Sequence, residues 1–130
     1  MDINTINLKV LAYLGDSVYE NLVREYLISE KINNVNDLQK HSLSFVTAKS
    51  QAKTLEELQN INFLKEDEED IVRRARNTKV VSHSKACDIL TYKHSTAFEA
   101  LFGYLKLSKK EDRIEEIFNK IKELNNVSIK

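Results

Sequence analysis

Apolar residues in the first part of the chain recur at helical spacing. Leu8, Leu11, Ala12, Gly15, Val18, Tyr19, Leu22, Val23 and Tyr26 follow an i, i+3, i+4, i+7 order, which predicts one amphipathic helix to about Leu27, with Asn4 or Thr5 as its cap. Ser29 to Asn34 reads as a polar turn. Asn36-Asp37-Leu38-Gln39 has the form of a capping box and predicts a short second helix. Ser42 and Ser44 suggest a break or a renewed cap before a third helix from about Phe45 to Gln59, with Val46, Ala48, Ala52, Leu55 and Leu58 on its core side. A fourth helix begins near Glu66. It is acidic in its first turns and basic at its end, Arg73-Arg74-Ala75-Arg76, as the helix macrodipole favours. Thr78 to Ala86 lacks a period and reads as an ordered loop. Asp88 can cap a short helical turn, and Ser95 a helix with Phe98, Leu101, Phe102 and Leu105 on its apolar side. Ser108-Lys109-Lys110-Glu111 forms a capping box ahead of a final helix whose buried stripe is Ile114, Ile117, Phe118, Ile121 and Leu124.

The pattern therefore predicts an all-α bundle of five to seven helices in a single domain, residues 1–130. The chain has no proline and only two glycines, which disfavours hairpin-rich architectures. No apolar run approaches the roughly 18 residues that a membrane span requires, and the N-terminus lacks the regions of a signal peptide, so a cytoplasmic location is expected. Cys87 has no second cysteine to pair with, and one cysteine with scattered histidines does not make a zinc site.

Charge changes the picture through its distribution. Twenty basic residues balance twenty acidic ones, yet Leu38 to Leu55 and Ile71 to Cys87 contain no acid at all. The first window holds Lys40, His41, Lys49 and Lys53, and the second holds Arg73, Arg74, Arg76, Lys79, His83 and Lys85. Such segregation can build a local basic surface for a polyanion on a neutral protein, or it can simply mark solvated helix faces.

Both glycines fall inside predicted helices, where each costs about 1 kcal/mol relative to alanine. Each also has an acid nearby: Asp16 follows Gly15, and Glu99 stands one turn before Gly103. Close packing of the two helices at the glycines would bring Asp16 and Glu99 within reach of one metal ion. Two converging carboxylates suit Mg²⁺, which prefers hard oxygen ligands and keeps several waters for a phosphate to displace. A metal so placed polarises a phosphoryl oxygen and acidifies water, chemistry fit for phosphodiester hydrolysis.

Leu14-Gly15-Asp16-Ser17-Val18 resembles the signature of the ribonuclease III catalytic domain, and Phe98-Glu99-Ala100-Leu101-Phe102-Gly103 resembles that family's second acidic motif. With Tyr19-Glu20, Arg73-Arg74-Ala75-Arg76-Asn77, Thr91-Tyr92 and Ser95-Thr96-Ala97, the likeness is closest to the short bacterial branch, the Mini-ribonucleases III, which lack a double-stranded-RNA-binding domain. It covers nearly the whole chain. The resemblance implies a ribonuclease III endonuclease-domain-like helical bundle and a homodimeric, Mg²⁺-dependent endoribonuclease that cuts double-stranded RNA, acting on the ends of large-subunit ribosomal RNA precursors. It carries over Asp16 and Glu99 as catalytic metal ligands. Longer family members have further acids where this chain has Lys9, Ala12 and Thr96. Glu20, one turn beyond Asp16, is placed either to orient a water at the metal or to form a structural salt bridge.

Duplex RNA is recognised mainly through its backbone and shape. The candidates for that contact are Arg73, Arg74, Arg76, Asn77, Lys79 and Lys85 on one element and Lys49 and Lys53 on another, with pairing of Arg73 or Arg74 to acids of their own helix as the alternative. His41, His83 and His94 read as surface or satisfied core residues, and the five tyrosines as core or interface residues. The competing reading of the whole is a ribonuclease-III-like RNA-binding module without catalysis, which acts in ribosome assembly. Retention of both acids argues against it, because a pure binder gains nothing by aiming carboxylates at a polyanion.

Overall fold

A computed structural model describes residues 2–79 and 88–129. Asp2 caps a short 3-10 turn, Ile3–Thr5, so the cap of the first long helix falls to Asn7, whose side chain accepts from the Lys9 amide at 2.8 Å. That helix, α1, spans Leu8–Ser29. Asn34 opens α2 (Val35–Val46) by accepting from the amides of Asn36 and Asp37. The expected break at Ser42 and Ser44 does not occur. Both hydroxyls donate to carbonyls three residues back, at Gln39 and His41, and so are satisfied within the helix. The break falls instead at Thr47, which caps α3 (Ala48–Asn60) through the Ser50 amide. Next come α4 (Glu66–Arg76), α5 (Ile89–Leu107) and α6 (Glu111–Ile129). The described residues thus form six α-helices and no strand, as the hydrophobic pattern predicts.

Two serines expected to open helices do not. Asp88 caps α5 by accepting from the Thr91 amide, which leaves Ser95 in the interior of one continuous helix. Ser108 closes α5, because the next residues belong to its C-terminal turn: Lys109 has φ 59° and the Lys110 amide donates to the Leu105 carbonyl at 2.9 Å. The same closure ends α1 at Lys31 (φ 65°) and α3 at Asn62 (φ 54°), with Ile32 donating to Leu27 and Phe63 to Leu58. This is the position that glycine usually takes at a helix end. Here neither glycine is used for it.

Helix α5 is the centre of the molecule and packs against α1, α3, α4 and α6. Ala97, Phe98, Ala100, Leu101, Phe102 and Leu105 are buried around its circumference, as befits a helix surrounded by others. Tyr19 of α1 meets Phe98 edge-to-face at 4.7 Å and Phe102 at 5.2 Å, and Phe118 of α6 closes the cluster. Leu55 and Leu58 of α3 and Ile71, Val72 and Ala75 of α4 complete the core. Arg113 of α6 pins that helix to α4: it pairs with Glu68 at 2.8 and 2.9 Å and donates to the Phe63 carbonyl at 2.7 Å. Glu68 also accepts from the Lys65 amide, so this nearly fully buried carboxylate is neutralised and its oxygens are partnered.

The contact between α1 and α5 is made backbone to backbone. A Cβ on Gly15 would overlap the Glu99 carbonyl, 2.6 Å from its carbon, and stand 2.8 Å from the Gly103 nitrogen; one on Gly103 would stand 2.7 Å from the Leu11 carbonyl carbon. Alanine at either position gains about 1 kcal/mol in helix propensity but must push two helix backbones apart, a cost of about 3 kcal/mol or more. Gly15→Ala and Gly103→Ala are each predicted to lower the thermal midpoint, by about 5 °C or more on calorimetry. A midpoint unchanged or raised would contradict the contact.

Candidate active site

The residue after Gly15 is Asp16, and the residue whose carbonyl touches Gly15 is Glu99. The glycine contact therefore sets the two acids beside each other, Asp16 exposed and Glu99 half-buried. They line one small cleft of about 210 Å³ with Lys9, Ala12 and Tyr13 of α1 and Tyr92 and Thr96 of α5. Burial, then the charge of Asp16 and a hydrogen bond shared with it, push the Glu99 carboxyl up to about 8. A hydrogen bond from Gln51 of α3 opposes the rise, and the charge of Glu20 adds to it. A cation bound between the two acids would offset both the burial of Glu99 and the charge of Asp16.

Among the described residues, no third His, Cys, Asp or Glu joins the pair to complete a metal-ligating group. The donor set still fits Mg²⁺, a cation commonly held by one or two carboxylates with the remaining positions left to water and substrate oxygens. It fits zinc poorly, since structural and catalytic zinc sites draw on His and Cys ligands.

The other sequence-predicted residues fall into several groups. Glu20 pairs with Arg24 at 3.0 Å, one turn along α1, and reaches Glu99 only through its charge. Arg73 and Arg74 both bind Asp70 of their own helix, and Arg74 also donates to the Asn4 carbonyl at 3.1 Å. Arg73 and Arg76 line an open hollow with Gln59, Glu66, Glu69 and Asp70. Arg76 also lies near His94 of α5, whose imidazole is held below its usual pKa by burial and then by that cation. Asn77 ends α4 and Lys79 lies two residues beyond it, both exposed. Lys49 and Lys53 are exposed on α3, each two residues from Gln51 and so on the side of the helix away from it. Lys85, His83 and Cys87 lie outside the described residues, as do residues 80–86 of the expected loop.

Sequence reasoning did not assign Lys9, Tyr13, Tyr92, Thr96 or Gln51 to the site. For Lys9 a signal existed: it stands seven residues, two helical turns, before Asp16 and so shares its face. Gln51 is far away in sequence, and nothing local marks it.

Residues 9–110 match the Ribonuclease III domain. The chain belongs to the ribonuclease III family. Among its relatives are the proteins named Mini-ribonuclease 3 of Staphylococcus aureus, 41% identical over 92% of this chain and 89% of that one, and of Brevibacillus brevis, 47% identical over 89% and 85%. A crystal structure of a Fusobacterium nucleatum protein is similar with a TM-score of 0.82 and 33% identity, covering 93% of this chain and 97% of that one. Asp16, Glu99 and both glycines lie inside the stretch that matches the ribonuclease III family.

The acid pair predicts a pH signature. Between the ordinary carboxyl value of 4.5 and about 8, the folded metal-free chain keeps a proton on Glu99 that the unfolded chain has released. This group's contribution to stability is therefore fully present below about 4.5 and is lost as pH rises through about 8. Carbon-13 NMR of the Glu99 carboxyl in EDTA should give a midpoint near 8, moving down in Asp16→Asn. The same midpoint in both proteins would show that the two groups do not interact.

Proposed function

We propose that this protein is an Mg²⁺-dependent endoribonuclease that cleaves double-stranded RNA, with Asp16 and Glu99 as its catalytic metal ligands and large-subunit ribosomal RNA precursors as its substrate. The observation that carries the reading is the pair of acids set side by side by the glycine contact in one open cleft, within a chain of the ribonuclease III family. Relatives named Mini-ribonuclease 3 that align over about nine-tenths of the chain support the same assignment. The choice of ribosomal RNA precursors rests on the resemblance to the short bacterial branch.

Each side chain has a distinct task on this reading. Asp16, the more exposed of the two, and Glu99 would hold the cation together, with Glu99 ionised when the cation is bound. Bound Mg²⁺ would polarise a phosphoryl oxygen and acidify water. Lys9, on the same cleft wall, supplies the positive charge that a backbone phosphate seeks there. Arg76, Asn77 and Lys79 at the end of α4, with Lys49 and Lys53 on α3, extend the interface to more distant phosphates. Arg73 and Arg74 contribute less, because their guanidinium groups already hold Asp70.

A two-fold pair of chains belongs to the same proposal. Two copies present two equivalent acid pairs to two antiparallel strands. Val10 and Tyr13 of α1 and Ile89 and Leu90 at the start of α5 expose apolar surface, Tyr13 at 84% and beside the cleft, which pairing would cover.

Cleavage decides the central point. A long RNA duplex incubated with the protein and Mg²⁺ should be cut by the wild type and left intact by Asp16→Asn, by Glu99→Gln and in EDTA. Binding without cutting by the wild type would instead favour an inactive RNA-binding module. For the basic surface, the double substitution Arg76→Ala with Lys79→Ala should weaken duplex binding and flatten its dependence on salt by roughly one charge unit for each phosphate no longer neutralised. An unchanged affinity and slope would remove both residues from the interface.

A further inference from the structure

Lys9 stands where its helix favours the opposite charge. It lies in the first turn of α1, at the positive end of the helix macrodipole, where acids stabilise and cations do not. Other helices of the molecule follow that preference: α4 opens with Glu66, Asp67, Glu68 and Glu69, and α6 with Glu111 and Asp112. The first turn of α1 holds no acid. Lys9 is exposed, and among the described residues its ammonium has neither an ion pair nor a hydrogen bond. The fold therefore gains nothing from this charge.

Its place in the cleft gives the charge a use. The wall on the α1 side includes Lys9, Tyr13 and Asp16, and the wall on the α5 side is Tyr92, Thr96 and Glu99. On both helices the wall runs from the acid towards the N-terminus. Lys9 ends the α1 wall, seven residues from Asp16 and so about 10 Å along the helix axis. Helical side chains lean towards the N-terminus, which carries Lys9 away from the acids rather than back to them. The ammonium is thus poorly placed to share the phosphate that a cation at Asp16 and Glu99 would hold. It suits a phosphate further along the same strand, if that strand lies along α1 past Tyr13, which is 84% exposed. Lysine grips phosphate as a compact point charge on a flexible stem, so it needs no partner to orient it.

We propose that Lys9 is a positioning residue of the nuclease site: it holds a backbone phosphate neighbouring the scissile one and so sets which bond of the strand lies over Asp16 and Glu99. The inference rests on the nuclease reading of the acid pair and adds to it a path for the strand, along α1 from the acids towards the start of that helix. A lysine that served the fold would be missed by the folded chain when removed. One placed for a phosphate is missed only by RNA.

The test compares Lys9→Met, which keeps the stem and removes the charge, with Lys9→Arg, which keeps the charge. Affinity for a short RNA duplex is measured in EDTA over a series of salt concentrations, beside the thermal midpoint. Lys9→Met should bind about tenfold more weakly, with a salt slope lower by roughly one charge unit. Lys9→Arg should bind as the wild type does, and neither midpoint should fall. The position of the contact is then read with duplexes in which single phosphates around the mapped cleavage site are replaced by uncharged methylphosphonate. One replacement beside the scissile phosphate should weaken binding by the wild type and leave binding by Lys9→Met unchanged. The proposal is overturned if Lys9→Met keeps the wild-type affinity and salt slope, or if it loses affinity together with a lowered midpoint. It is overturned as well if every replacement costs Lys9→Met as much as the wild type, or if the one that does not is the scissile phosphate itself. These results leave the nuclease reading standing as long as the wild type cuts the duplex in Mg²⁺. A wild type that binds the duplex and never cuts it overturns that reading, and this inference with it.

Discussion

Two helix backbones touching at Gly15 and Gly103 govern most of the architecture of this molecule. Their closeness leaves no room for a side chain on either glycine, so α1 and α5 lie nearer than helices separated by ordinary side chains. Helix α5 then becomes an axis that is apolar around most of its circumference, and α3, α4 and α6 gain their burial by covering it. The site is a by-product of the same closeness. Asp16 follows one glycine in sequence, and Glu99 is the residue against which that glycine rests. Separating the helices would spoil the core and the acid pair together.

The pair itself works against the fold. Burial and mutual repulsion make Glu99 hold a proton well into the neutral range, so the chain gives up some stability above its ordinary carboxyl pKa. Elsewhere the molecule treats buried charge differently. Glu68, buried more deeply than Glu99, has Arg113 and a backbone amide to neutralise it. Both carboxylates come from the same kind of helical surface. What separates them is that Glu68 has an ion-paired arginine, whereas among the described residues no ion pair is made to Glu99. A local rule broken where the rest of the structure obeys it is the usual mark of a functional position.

Much of this was legible in the sequence because it was written in local periods. Helical spacing marked out the long α1 and the stripe of α6, and the placing of the only two glycines inside helices pointed to a close approach that the structure contains. Serine was the recurrent source of error. Ser42, Ser44, Ser95 and Ser108 all look like caps in a linear reading, yet the first two bond back within α2, the third bonds across to α3, and the fourth ends a helix. A hydroxyl serves all these roles with the same residue type, and only tertiary context chooses among them. Gln51 was invisible for a related reason. Its partner Ser95 is more than forty residues away, and an amide carries no charge to betray the pairing.

Charge patterning was legible in outline and misleading in detail. The acid-free stretch at the end of α4 reads as a cationic cluster, but two of its arginines reach back to Asp70, which lies just before that stretch. Lys49 and Lys53 are exposed but stand on the side of α3 opposite Gln51, turned away from the acids. On the proposed reading, then, the phosphate nearest the reacting bond is met by a residue outside both basic windows. Lys9 occupies a position where longer family members carry an acid, and it lines the cleft itself. Exchanging a carboxylate for an ammonium there lowers the negative charge against which a polyanion must approach, and leaves the cation to two acids among the described residues. On the proposed reading, the thinner acid set and the added lysine act in the same direction, towards a site whose metal would be held as much by the RNA as by the protein.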